Sequence, residues 1–314
     1  MKEGKYIHVA IGNLNIDIAV YLERLPTAGE ALEASHIDVR PGGAATNYAV
    51  AVAQYGHVAY LLASVSNNRY IKAILEDLAK LGVNVSRVKV VDEPPGVVVV
   101  LVQPGGERSM VKYPGANREL TPSDVPRELL LDAHVVHIAS ITPKFVCEIA
   151  KMCARENIFT TYDPGLYVAA LAEDLASVVG NLDVLFVNER EFKLLSKKAS
   201  ASALFKYGLS MLVVKMGQRG AIALLPSGVC YYGSAQPIKK PVDTTGAGDS
   251  FNAFFNAKYV ESKDPALALT YGIAAGALKA GSRGSFLRLD HKLFDAQLKK
   301  VVVEKAIECP FEIC

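Results

Sequence analysis

DTTGAGDSF occupies residues 243–251. Three small residues, Gly246, Ala247 and Gly248, stand directly before an acid, Asp249, and apolar sequence follows at once. A turn of small residues that opens a helix leaves backbone N–H groups unpaired, and the helix dipole adds partial positive charge there. Such a turn is an anion site, and glycine lets phosphate come close to the main chain. An acid inside an anion site repels the ligand unless its task is to take a proton. A carboxylate beside a forming phosphoryl bond can accept the proton of an attacking hydroxyl. The competing reading makes Asp249 an ordinary helix N-terminal acid and the glycines a simple turn. GAG begins like a dinucleotide fingerprint, but Phe251 stands where its third glycine would be. The loop GxxxxGK[ST] is absent, as are GxSxG and HExxH.

Around this stretch the chain alternates. Residues 6–12, 58–65, 134–140, 158–163, 183–188 and 210–217 read as apolar strands. Residues 44–56, 71–82, 143–156, 251–260 and 265–280 read as helices, with glycine stops at Gly56 and Gly82 and a proline start at Pro143. Strand and helix in turn imply an α/β fold, a doubly wound and mostly parallel sheet with helices on both faces. Two segments, about 14–40 and 96–113, are β-branched and carry the turn signals Pro26, Gly29 and Pro104-Gly105-Gly106. They predict a small accessory sheet at the edge of the main one. No repeat or linker divides the chain, so residues 1–314 are expected to form one domain with that sheet inserted.

With 314 residues, 51% of them hydrophobic, a sizeable core is possible. No run approaches the ~18 apolar residues of a membrane helix. The start of the chain lacks the apolar core of a signal peptide. Net charge is +2, and the lysine pairs at 197–198, 239–240 and 299–300 are scattered, which argues against nucleic acid as a partner. The five cysteines match no zinc spacing, so a reducing, cytoplasmic setting is expected. CPFEIC, ending the chain with Cys309 and Cys314, reads either as two free thiols or as a terminal disulfide.

VDTTGAGDSF resembles the C-terminal signature of the ribokinase superfamily, the PfkB carbohydrate kinases. PGGAATNYAVAVAQYG (41–56) resembles the N-terminal signature. GNLNIDIAV (12–20), ERLPTAGE (23–30), PGANRELTPSDV (114–125), DVLFVNEREF (183–192) and VVKMGQRGA (213–221) resemble further pieces in the same order, so the likeness spans nearly the whole chain. It implies a ribokinase-like fold with a small β-sheet lid. It also implies transfer of the γ-phosphoryl group of ATP to a hydroxymethyl group of a sugar or nucleoside.

By that resemblance Asp249 is the general base, and the amides of Gly246, Ala247 and Gly248 form the anion hole. Asn188 and Glu191 match the element that organises Mg²⁺ and phosphate through waters; the plainer reading is a helix cap. Lys215, Gly217 and Gly220 fall where the family passes the nucleotide. Asp243 and Thr245 match positions that hold a monovalent cation such as K⁺, completed by a loop near the C-terminus, here AGSRGS (280–285). On the acceptor side Asn15 and Asp17, two apart on a strand, face one way and can hold vicinal hydroxyls. Gly42 and Gly43 let the chain pass close to the sugar, and Asn47 faces the same site. Pairing of lids implies a homodimer, with the apolar run 97–102 in need of cover.

The chain departs from ribokinases in three places. Ile141 stands where a ribose-binding Glu is usual, Ala44 where a lysine is common, and Ile273 where the adenine side carries an Asn. Loss of a polar ligand favours an acceptor larger or less polar than free ribose. A nucleoside phosphorylated on its 5′-hydroxyl is the first expectation. Ribose, another sugar or a sugar phosphate such as fructose 6-phosphate is the alternative, with Arg40, Arg108 and Lys112 as a phosphate clamp. A non-catalytic sugar- or nucleotide-binding regulator stands further off, since a binder needs no base, and a hydride-transferring enzyme further still.

Overall fold

The computed structural model describes residues 6–104, 108–235 and 241–306. Its centre is a ten-stranded sheet among these residues. From one edge its strands are Val301–Ala306, Cys230–Ala235, Ala221–Leu224, Met211–Lys215, Val184–Asn188, Phe159–Asp163, Val135–Ala139, Ile7–Gly12, Val58–Leu62 and Val83–Asn84. Pairing is parallel from Val83–Asn84 as far as Met211–Lys215 and antiparallel beyond it. Both faces are covered, which is why the strands read as unbroken apolar runs. Along Val184–Asn188, Leu185 and Val187 enter one core while Val184 and Phe186 enter another. The antiparallel edge escapes the alternating sequence pattern: Met211–Lys215, Ala221–Leu224 and Cys230–Ala235 follow one another with no α-helix between them, and Val301–Ala306 returns to pair with the last only after helices Ala247–Ser262, Pro265–Ala280 and His291–Leu298. The run 58–65 is broken at Ala63, and residues 64–66 leave the main sheet to pair with Lys89–Val91.

The helices follow from local chemistry. Asn68 caps Arg69–Lys80 by accepting from Ile71 N, and Ile71, Ile74 and Leu78 form its buried stripe. Pro143 opens Pro143–Arg155, and Asp264 caps Pro265–Ala280 by accepting from Ala266 N. Helices Ala44–Tyr55 and Ala247–Ser262 are mostly buried and pack on each other over one face of the sheet. The chain passes from Ile7–Gly12 to Val58–Leu62 on one side and later to Val135–Ala139 on the other. The strand order therefore reverses at Ile7–Gly12, and the crevice beyond the carboxyl ends of these strands is where open α/β sheets place ligands.

Between the central strands and these two helices runs a buried polar seam. His8 Nδ1 shares a hydrogen bond with the Tyr48 hydroxyl (2.9 Å), and His8 Nε2 with His57 Nδ1 (2.9 Å). Asn256 Nδ2 donates to Tyr48 Oη and to Thr161 Oγ1, which also bonds His137 Nδ1. The Tyr48 and His137 rings stack at 4.0 Å. Burial pushes His8 and His137 below the ordinary histidine range, His137 to about 3.

A second sheet has the order His36–Gly42, Asn15–Tyr21, Gly96–Val102, Arg108–Tyr113. Its central pair is parallel and the outer pairs antiparallel. Its strands come from residues 15–42 and 96–113, the strand His36–Gly42 running two residues past position 40. The register gives it two unlike faces. Asp17 lies opposite Arg40 and Val98, and Val98 opposite Lys112, so one face carries the charges. The other row holds Ile18, Val39, Val99 and Val111. The run 97–102 is not a bare edge, since strands flank it on both sides; what stands open is the outer apolar face, with Ile37, Val39, Val111 and Tyr113 exposed. Among the described residues no helix is long and apolar enough to cross a membrane. Cys147, Cys153 and Cys230 are free and buried, while Cys309 and Cys314 lie outside the described residues.

Candidate active site

The turn at residues 246–248 starts helix Ala247–Ser262 at the crevice. Gly246 has φ 77°, and a Cβ there would overlap the Ser285 carbonyl, so only glycine fits. Asp249 sits in the first helical turn, and Asn47 Nδ2, from helix Ala44–Tyr55, donates to its Oδ2 at 2.7 Å. Burial pushes the Asp249 pKa up to about 6 against that hydrogen bond, with the charge of Asp163 adding to the rise. A carboxylate of that basicity can receive a hydroxyl proton near neutral pH. Of the turn amides beside it, Ala247 N donates to Thr244 O (3.2 Å).

On one side of the turn lies a cavity of about 520 Å³. Its walls include Asn188, Lys215, Gly217, Gly220, Gly248 and Ile273. Ile273 and Phe251 form an apolar wall in it. Lys215 is held by two side chains that sequence reasoning did not single out: its Nζ donates to Asp163 Oδ2 (2.7 Å) and Asn252 Oδ1 (3.1 Å), while Asn252 Nδ2 donates to Asp163 Oδ2 (2.7 Å). Burial opposes ionisation of Asp163, but Lys215 and the Asn252 amide outweigh it and hold the carboxyl below its ordinary value. Asn252 follows Asp249 by three positions on one helix, and that spacing was the available signal.

Asn188 and Glu191 form a reciprocal cap. Glu191 N donates to Asn188 Oδ1 (2.9 Å), and Asn188 N donates to Glu191 Oε2 (2.8 Å). The plainer reading of this pair is thus realised, and it coexists with an unusual charge state. Burial, then the nearby Asp163, pushes Glu191 to about 7. The ionised Asp163 thus adds to the cost of charging Glu191, while Lys215 and the Asn188 amide work the other way. Among the described residues no cluster of three or more His, Cys, Asp or Glu side chains is set to grip a metal.

The other side of Asp249 is made of side chains. Asp17 Oδ1 and Asn47 Oδ1 are buried without a hydrogen-bond partner, as is Arg40 Nε. Such atoms are costly unless a ligand satisfies them. Burial pushes Asp17 to about 6 against the charges of Arg40 and Lys112. Burial likewise lowers Lys112, opposed by Asp17 and Asp249, which puts all three groups in one field. Asn15 is fixed by Asn117, whose Nδ2 donates to Asn15 Oδ1 (2.8 Å) and whose Oδ1 accepts from Leu14 N (3.1 Å). A Cβ at Gly42 would overlap the Asp17 carboxylate, so the glycine makes room for that acid. Gly43 begins helix Ala44–Tyr55 and so sets Asn47 one turn in. Ile141 packs against the main core, its carbonyl accepting from Tyr162 Oη (2.7 Å), and so adds little apolar surface to the crevice.

Asp243 and Thr245 lie below the turn. The Asp243 carboxylate accepts from Thr245 N (3.0 Å), Gly284 N (3.2 Å) and Arg40 Nη1 (2.9 Å). Burial works against its charge, yet these partners keep its pKa below the ordinary value. Arg40 is thereby committed to Asp243, and the Arg108 side chain lies outside the described residues. The loop at 280–285 meets Asp243 through Gly284 N, and Lys279 Nζ donates to the Asp243 carbonyl at 3.2 Å.

Comparison with known proteins agrees with this geometry. The pfkB family carbohydrate kinase profile matches residues 8–291. The chain is 30% identical to the ATP-dependent ribose-1-phosphate kinase of Halopiger xanaduensis, over 88% of this chain and 93% of that one. Among solved structures, Thermotoga maritima ribokinase is 28% identical with a TM-score of 0.82, over 94% of this chain and 100% of that one. The Methanocaldococcus jannaschii nucleoside kinase shares the fold with a TM-score of 0.84 at 23% identity, over 95% of this chain and 99% of that one.

Proposed function

Because this chain belongs to the pfkB family of carbohydrate kinases, we propose that its acceptor is a ribose substituted at C1, in the first instance a nucleoside phosphorylated on the 5′-hydroxyl. As a family member it is a phosphotransferase with an alcohol acceptor, a ribokinase-like sugar or nucleoside kinase. The observation that carries the acceptor reading is the pair of unpartnered buried oxygens, Asp17 Oδ1 and Asn47 Oδ1, on the side of Asp249 away from the cavity. Vicinal ribose hydroxyls are donors that satisfy both. The strand-end segment 138–143 carries no Asp or Glu of its own to hold a free anomeric hydroxyl, and the neighbouring Asp163 is engaged by Lys215 and Asn252, which favours a substituted C1.

In this reading Asp249 takes the proton of the 5′-hydroxyl as it attacks the γ-phosphorus of ATP. The amides of Gly246, Ala247 and Gly248 receive the charge that builds on the transferring group, and being fixed in place they need no reorganisation. Asn15, Asp17, Gly42, Gly43 and Asn47 hold the sugar. Lys215, Gly217, Gly220 and Asn188 border the phosphates and ribose of the nucleotide, with adenine against Ile273. Lys215, tethered by Asp163 and Asn252, has its Nζ beside Gly248 of the turn. Asn188 and Glu191 would hold Mg²⁺ through waters, and the ion supplies neutralisation of the phosphate charge when bound.

The small sheet acts as a lid inserted in a single 1–314 unit. Its charged face supplies Asp17 and Lys112, and its apolar face meets the lid of a second copy in a homodimer. Sedimentation of the intact chain tests this: a monomer at micromolar concentration removes the pairing. ATP chemistry and buried free thiols suit a cytoplasmic setting.

A second reading keeps the substituted C1 but makes the substituent a phosphate. The unpartnered Arg40 Nε and the desolvated Lys112 ammonium favour it, as does the ribose-1-phosphate kinase relative. A coupled assay with ATP and Mg²⁺ over ribonucleosides, ribose, ribose 1-phosphate and fructose 6-phosphate decides. Nucleosides with the highest kcat/KM support the first reading, ribose 1-phosphate the second. Free ribose as the best substrate overturns both.

A further inference from the structure

Lys279 ends helix Pro265–Ala280 and is 0% exposed, one of the largest fully buried side chains of the protein. A buried ammonium normally seeks a carboxylate. This one donates to two main-chain carbonyls, Asp243 O (3.2 Å) and Ser282 O (3.2 Å), and the charge of the Asp243 carboxylate acts on it without a direct hydrogen bond. The carbonyls come from different loops. One precedes the glycine turn at 246–248 and the other follows the helix.

The same two loops are tied together around the ammonium. Val242 N and Asp243 N both donate to Ala280 O (2.8 and 3.2 Å). Gly284 N donates to the Asp243 carboxylate (3.2 Å), and Ser285 Oγ donates to Pro41 O (2.6 Å). The Ser285 carbonyl faces Gly246 so closely that no side chain fits between them. Lys279 thus sits at the joint that fixes where the turn amides point.

Carbonyls drawn together from two loops are the chemistry that replaces the hydration shell of K⁺. An ammonium group resembles K⁺ in size and charge. With a covalently attached cation on the Asp243 carbonyl, a second monovalent ion at that carbonyl would meet a like charge at close range. The donor set around Asp243 and Thr245 therefore does not fit an added K⁺. We infer that Lys279 is a built-in monovalent cation, a positioning residue that holds the anion turn in place of a dissociable ion. Kinase activity of this chain is then independent of K⁺. The inference goes beyond the acceptor reading and holds for any acceptor.

The test has two arms, each run at constant ionic strength in K⁺, NH₄⁺, Na⁺ or tetramethylammonium. In the wild-type protein, kcat should differ by less than about twofold among the salts, and K⁺ should give no saturable rise in melting temperature. A K⁺ stimulation of about tenfold or more, or a saturable K⁺-specific rise in Tm, overturns the inference. Lys279→Ala opens the joint. In tetramethylammonium its kcat should fall at least about tenfold, and K⁺ or NH₄⁺ should restore both kcat and Tm with saturation. Full activity of Lys279→Ala without a small cation also overturns it. Should that variant fold in no salt, the wild-type arm decides alone. The melting measurements need no acceptor, so they remain decisive if the acceptor panel fails.

Discussion

On the cavity side of Asp249 the surface is mostly main chain and hydrocarbon, with Ala247, Gly248, the glycines at 217 and 220 and the walls of Ile273 and Phe251, and Asn188 and Lys215 are the polar side chains set into it. On the opposite side it is polar side chain, with Asn15, Asp17, Asn47 and Lys112 brought from two strands of the small sheet, a helix and the charges between them. A triphosphate is the same in every reaction of such a kinase, so fixed backbone donors suffice for it. An acceptor must be told from its competitors, and that needs directed groups that go unsatisfied with the wrong ligand. The first side is generic and the second selective.

The sharpest way to break this division is at the residue both sides share. Asp249→Asn should lower kcat about 1,000-fold while ATP binding by calorimetry persists. The same substitution should stabilise the protein at neutral pH. A carboxyl whose folded pKa is raised costs stability above that pKa and costs nothing below its unfolded value. The gain in Tm should therefore be full above pH 6 and vanish as pH falls toward 4. Turnover near the wild-type level would end the assignment of the base.

Next in size is Gly248→Ala. A Cβ there meets only Lys215 Nζ, at an ordinary 3.4 Å, so the fold should tolerate it. The methyl group would stand on the path of the phosphoryl group, and kcat should fall about 100-fold without loss of Tm. An active variant would show that the turn amides are not the anion hole.

Asp17→Asn tests the selective side alone. The acceptor KM should rise about tenfold, the loss of one charge-assisted hydrogen bond, while the KM for ATP stays put. Equal rises in both would erase the distinction between the two sides.

The smallest effect lies in pH. Asp17 and Asp249 are both raised to about 6, and both are needed ionised. Log kcat/KM should climb with a slope approaching 2 below pH 6 and level off above it. The two carboxyls interact, so the break belongs to the pair. In Asp17→Asn the slope should drop to 1.

The generic side was legible in the sequence because it is local. A glycine turn before an acid is written in consecutive residues, and the alternation of apolar strand and helix is written in periodicity. The selective side was legible only where motif pieces carried it, as with Asn15, Asp17 and Asn47. Asp163, Asn117, Asn252 and Lys279 come from distant segments, and their meaning appears only when the sheet order brings them together. Lys279 in particular looks like any lysine in a last helical turn, where a solvated cation is the ordinary expectation. Ile141 misled for the opposite reason: its departure from ribokinases is real, but its side chain turns toward the core.

The seam of His8, Tyr48, His137 and Asn256 has a bearing on how the protein fails in acid. His8 and His137 are neutral in the fold and titrate normally once the chain opens, so below about pH 6.5 the unfolded state takes up protons the native state refuses. Each such histidine removes about 1.4 kcal/mol of stability for every further pH unit, until its own folded pKa is reached. Acid should thus part the two buried helices from the sheet along this line of rings, loosening the floor under Asn47 and Asp249 together.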